Sequence, residues 1–209
     1  MQRSIEASRS GFLFLGLVLY ALAFLFGAPA AYFPFAFFLL LTLGALLVLL
    51  LHNALRSRWG VPLEPYLYPL ARLLPLMGLL GLPFFLFLPE LFPWARPGAA
   101  LDPILAHRSG YLNAPFMLLR YVLFFTLFSW ILLKLKPGEH RAEVGAWGLP
   151  LAFAAATFLT YDLFMALEAH FYSASFGAIL LLSAAVLALA VAVALAARKG
   201  TPALMGQAQ

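Results

Sequence analysis

The chain has 209 residues, 65% hydrophobic and 10% charged, with a mean hydropathy of +0.97. A soluble domain is about half apolar and about a quarter charged, so the composition excludes a water-soluble globule and makes lipid the solvent. The net charge of +5 is scattered singly, which excludes a nucleic-acid surface, and the absence of cysteine excludes thiolate-bound iron–sulfur clusters, covalently attached c-type haem and disulfides.

A helix crosses the hydrocarbon core with about 20 mostly apolar residues. On that rule the sequence predicts an all-α polytopic bundle of six spans, forming one transmembrane domain over residues 1–200. The first span is 11–28, ended by Pro29. Arg3 and Arg9 precede it, as in a secretory leader, but no small-residue cleavage motif closes it, so it reads as a retained helix. The second is 32–51. The third, 68–90, contains Pro69, Pro75 and Pro83, which predict kinks rather than one straight rod. The fourth is 112–135, the fifth 146–167 and the sixth 174–197, the last so rich in Ala, Leu and Val that only packing specifies it. Residues 201–209 read as a loose tail.

Lysine and arginine between the spans set the expected orientation. Arg3, Arg9, Arg56, Arg58, Lys134, Lys136, Arg141, Arg198 and Lys199 fall on one side and only Arg96 and Arg108 on the other. Nine against two predicts that both termini are cytoplasmic, in a multi-pass membrane protein. Arg72, near the start of the third span, has a stem long enough to reach the interface.

Two charges are harder to place in lipid. Arg120 lies some eight residues into the fourth span, about 12 Å from its outer end at 1.5 Å per residue. Asp162 lies about five residues, roughly 8 Å, below the same surface on the fifth span. The depths match, and a short connection favours antiparallel neighbours. An unpaired charge at such depth costs at least ~2.5–3.5 kcal/mol, so the two side chains are expected to meet inside the bundle. Glu168 and His170 follow at the outer rim, completing a ladder of titratable groups with Asp162. Thr160 and Tyr161 add hydroxyls nearby. The pair reads either as a register device or as part of a proton or quinone-linked path opening on the outer face.

Other chemistry is not signalled. His52, His107, His140 and His170 sit at ends or in loops, where no two can grip haem across a bundle, and no phosphate-cradling glycine motif or nucleophile elbow occurs. Any electron carrier is therefore a diffusible quinone or is held by partner chains.

Two segments carry a family resemblance. "YLNAPFMLLRYVLFFTLFSWILL" at 111–133 resembles a "YLNxPFFxxR" helix opening, and "DLFMALEAHFYSASFG" at 162–177 resembles "DWxMSLxPHWYSTxFG". "LPELFPWA" at 88–95 is similar to the end of the same family's third span. The family is the F-type membrane subunit of alternative complex III, a bacterial quinol:electron-acceptor oxidoreductase, within the NrfD/polysulfide-reductase membrane-subunit superfamily. The matches cover most of residues 60–180 in the right order. Leu163 and Phe171 stand where the family has Trp, and Ala169 where it has Pro.

The resemblance implies a membrane subunit without its own redox centre, with haem and iron–sulfur clusters in other membrane and peripheral subunits of a hetero-oligomeric complex. It implies that spans two to five form a four-helix bundle. It marks Arg120, Asp162, Glu168 and His170 as positions for proton transfer or structural pairing. The family pairs two bundles, so a short or split form is implied. A small transporter or channel using the same buried pair, or a purely structural membrane subunit, are the other readings the residues allow. Transporters usually show broken helices in both halves, and only the third span here is broken by proline.

Overall fold

A computed structural model describes residues 16, 18–55, 58–168 and 170–198. Arg3, Arg9, Arg56, Ala169, Lys199, the tail 201–209 and residues 11–15 and 17 of the first expected span lie outside the described residues. The chain is an all-α polytopic membrane protein. Among the described residues, five helical stretches are long and apolar enough to cross a bilayer: Ala28–Leu55, Glu64–Leu86, Ala114–Lys134, Ala142–Leu167 and Phe176–Arg198. They correspond to the second to sixth expected spans.

The boundaries shift for local reasons. Residues 18–23 are helical and pass into a 3₁₀ turn, Phe24–Phe26, which stops at Gly27 with φ +99°. The break is therefore at Gly27 rather than Pro29. Pro29 falls in the first turn of helix α1 (Ala28–Leu55), where a missing N–H costs nothing. The backbone N–H of Ala28 instead finds the carboxylate of Glu90, 3.3 Å away.

The third span starts and ends earlier than expected, and it is broken as its prolines predict. It comprises α2 (Glu64–Ala71), α3 (Leu74–Gly81) and a 3₁₀ turn, Leu82–Leu86. Two short helices follow outside the span, α4 (Leu88–Leu91) and α5 (Pro103–Arg108). Then come α6 (Ala114–Lys134), α7 (Ala142–Leu163) with a 3₁₀ turn at Met165–Leu167, and α8 (Phe176–Arg198). Arg72 caps the end of α2, exposed, with its guanidinium 4.8 Å above the ring of Tyr68.

Helix α1 is the hub. Every residue from 41 to 50 is buried, as expected of a helix that is apolar all round. It packs against α2, α3, α7 and α8. Lipid offers no hydrophobic drive between helices, so close backbone approach has to supply the contact. A Cβ built on Gly44 would lie 2.0 Å from the Ala184 carbonyl oxygen of α8, and one on Gly145 2.3 Å from the Ala54 nitrogen of α1. On α8 the buried residues Leu181, Ala184, Ala188, Ala192 and Ala196 recur close to every fourth position, while Ile179, Leu182, Val186 and Val193 are exposed.

Tyrosine hydroxyls close the gaps left where helices end or break. In a bilayer an unsatisfied backbone group costs several kcal/mol. At the end of α3 the Leu82 N–H turns to the Leu79 carbonyl, releasing that of Gly78. Tyr121 of α6 donates to Gly78 O at 2.9 Å, and Tyr20 donates to Leu80 O at 2.5 Å. Tyr32 donates to the Leu163 carbonyl at the end of α7, and Tyr68 to that of Leu135 just after α6. Each bond satisfies a carbonyl and ties two segments together.

Candidate functional site: a buried arginine–aspartate pair beneath a rim cleft

The site is assembled at the end of the bundle where α6 begins and α7 finishes. Asn113 is the N-cap of α6. Its side-chain oxygen accepts from the Phe116 N–H at 3.0 Å, and its amide donates to the Ser109 and Gly110 carbonyls at 3.0 and 3.1 Å. Proline at the second helical position suits that start. These local choices fix the phase of α6 and turn Arg120, two turns in, toward the interior.

Arg120 and Asp162 are brought together. The guanidinium Nε donates to Oδ2 and Nη2 to Oδ1, both at 2.8 Å, in a fork-to-fork pair. Arg120 is 7% exposed and Asp162 1%. The third nitrogen, Nη1, donates to the Tyr111 carbonyl at 3.2 Å. The guanidinium carbon lies 3.8 Å from the Tyr111 ring centroid and 4.3 Å from that of Phe116, so aromatic faces cover the cation. Asp162 sits in the last turn of α7, where the helix dipole disfavours an anion. The guanidinium offsets that as well as the loss of water.

The rim residues form a separate cluster. His170 Nε2 lies 2.9 Å from Asp102 Oδ2, and its Nδ1 lies 3.8 Å from Glu168 Oε1. The side chains of His170 and Glu168 are 56% and 72% exposed. Asp102 is also the N-cap of α5, accepting from the Ile104 and Leu105 N–H groups at 2.8 and 3.4 Å. The Ile104 N–H holds its carboxyl below the ordinary carboxylate value, with Leu105 and His170 adding to the shift against a smaller cost of desolvation. Asp162, Glu168 and His170 thus occupy one end of the bundle, but no direct contact links the buried member to the two exposed ones.

The Thr160 and Tyr161 hydroxyls make no hydrogen bond to the pair. Thr160 is buried and donates to the Thr157 carbonyl at 2.7 Å, and Tyr161 donates to Ala174 O at 2.6 Å. Both bond backbone, as hydroxyls in membrane helices commonly do.

Tyr111 and Asp102 are the residues that sequence reasoning missed. Tyr111 lies just before α6, and its ring stacks on Arg120. Its hydroxyl is buried and faces the Asp162 carboxylate. Burial raises its pKa, and the nearby Asp162 carboxylate raises it further. Asp102 was legible as a helix cap from the Asp-Pro pair that opens α5.

Between the pair and the rim lies a cleft of about 330 Å³, whose lining includes Arg108, Tyr111, Phe158, Tyr161, Glu168 and Tyr172. Tyr111 therefore stands between the buried pair and the cleft. At the opposite end of the bundle, buried Asn53 accepts from the Arg141 N–H at 2.7 Å, and the ring of His52 packs 5.5 Å from those of Trp59 and His140. Among the described residues no group of three or more His, Asp or Glu is arranged to hold a metal ion. No protein-family model matches the chain, and no curated protein matches it.

Proposed function

We propose that the chain is an integral membrane subunit of a quinol:acceptor oxidoreductase complex of the alternative complex III type. It anchors redox subunits that carry the haem and iron–sulfur centres, and it contributes a proton route at the end that holds Arg120 and Asp162. Quinone serves as the diffusible carrier. One observation supports this reading. The two segments that resemble the family, one bearing Arg120 and the other Asp162 42 positions later, fold onto one another, and their charged members grip each other. Tyr111 and Asn113 of the first segment complete the same site.

A tag on this chain and gentle detergent extraction provide the test. The reading expects polypeptides with haem absorbance and iron–sulfur clusters to co-purify. A lone oligomer free of both overturns it. A second reading, in which the pair is purely structural, is favoured by Arg120 occupying both oxygens of Asp162. Asp162→Asn separates the two. A proton role lowers turnover per assembled complex, whereas a structural role lowers assembly and leaves turnover per complex unchanged.

A further inference from the structure

The end of the bundle away from Arg120 holds a second cluster, built on the last turn of α1. His52 is 3% exposed, and its Nδ1 has no hydrogen-bond partner. The backbone of Gly60 lies against that nitrogen, since a Cβ built there would come within 2.5 Å of it. Trp59 and His140 each meet the His52 ring in an edge-on arrangement, with centroids 5.5 Å away. Three hydrogen bonds fasten the connection between α6 and α7, residues 135–141, to α1 and α2. Tyr68 donates to the Leu135 carbonyl, the Gly138 N–H donates to Glu64 Oε1 at 3.1 Å, and the Arg141 N–H donates to Asn53 Oδ1 at 2.7 Å. His140 belongs to this connection, so its contact with His52 is part of the same fastening.

A neutral imidazole fits this place and an imidazolium does not. Protonation puts an N–H on both ring nitrogens, and the one on Nδ1 would be buried without an acceptor. Taking the positive charge out of water adds to that cost. His140 faces the ring and carries a like charge once it is protonated too. Glu64 faces it as an anion, but its carboxylate is engaged by the Gly138 N–H. Of the other charged groups nearby, Lys136 and Arg141 both pair with Glu139, at 3.7 and 2.5 Å, and Arg58 beside Trp59 is exposed. A proton taken up from water therefore favours an arrangement in which the connection lifts and the ring is hydrated.

We propose that His52 is a pH-sensitive latch: neutral, it holds the 135–141 connection against the last turn of α1 and the first turn of α2, and when the solvent at that end is acidified it takes up a proton and releases the connection. The inference does not depend on the respiratory reading. Hydrogen–deuterium exchange of the full chain in lipid nanodiscs tests it, read by mass spectrometry at about pH 7.5 and about pH 5.5 and corrected for the intrinsic pH dependence of exchange. An imidazole kept neutral about one unit below its ordinary value of about 6.5 allows at most about a tenfold loss of protection. The wild type is expected to approach that loss in residues 135–141 while α6 stays protected. His52→Gln, which cannot titrate, is expected to change less than about twofold. His140→Gln, at an exposed position, is expected to keep the release. A wild type whose connection changes less than about twofold, an equal release in His52→Gln, or an abolished release in His140→Gln overturns the assignment.

Discussion

Replacing Asp162 by Asn removes one charge from a pair that has almost no access to solvent. Removing one partner of a buried ion pair typically costs about 3–5 kcal/mol, because the remaining charge is stranded. Here the stranded group is Arg120, which keeps its bond to the Tyr111 carbonyl and its two aromatic faces. Cation–π contacts of a desolvated guanidinium are worth up to about 2 kcal/mol, and the Asn oxygen still accepts one bond. The expected loss is therefore at the low end, about 3 kcal/mol, or roughly two orders of magnitude in the folding equilibrium. Reversible unfolding in detergent or bicelles measures it, and a double-mutant cycle with Arg120→Met isolates the coupling. The double variant should be more stable than Asp162→Asn alone, since it leaves no buried charge. A loss below about 0.5 kcal/mol for Asp162→Asn, the scale of an ordinary surface change, or strict additivity in the cycle, would refute the reasoning.

Gly44→Ala should force α1 and α8 apart, because the new carbon meets backbone that cannot rotate away; the expected cost is about 1–3 kcal/mol. The control is Gly110→Ala, which meets nothing within 4 Å and should stay within about 0.5 kcal/mol. Tyr121→Phe leaves the Gly78 carbonyl without its donor in a buried setting and should cost about 1–3 kcal/mol, read by the same unfolding assay. Asp102 predicts a pH dependence whose sign is fixed: its folded pKa lies below its ordinary value of 3.8. Its contribution is complete above that value and is lost as pH falls through the lower folded one. Asp102→Asn should therefore remove part of the acid sensitivity below about pH 4, and a carboxyl titration followed by NMR checks the direction.

Much of the architecture was legible in the residues. Long apolar runs announced the spans, because nothing else satisfies the backbone in hydrocarbon. The three prolines of the third span announced its breaks. Helix ends were legible only to within a few residues. Pro29 read as a stop but serves as a start, since a proline in a first turn and a proline beyond a last one look alike in sequence. In the site, the matched depths of Arg120 and Asp162 came from counting rise per residue along two helices. The shortfall lay in Tyr111 and Asp102, whose roles depend on which loop folds back over which helix.

The sequence alone determined the solvent, the helical class and the presence of two charges too costly to leave unpaired in lipid. Those follow from transfer free energies, which each residue carries wherever it lies. The tertiary structure decided which glycines meet which helix, which tyrosine closes which broken carbonyl, and that Glu168 and His170 join Asp102 at the rim rather than Asp162 in the interior. Such choices rest on contacts between residues distant in sequence, and no periodicity or local propensity encodes the distance across a bundle.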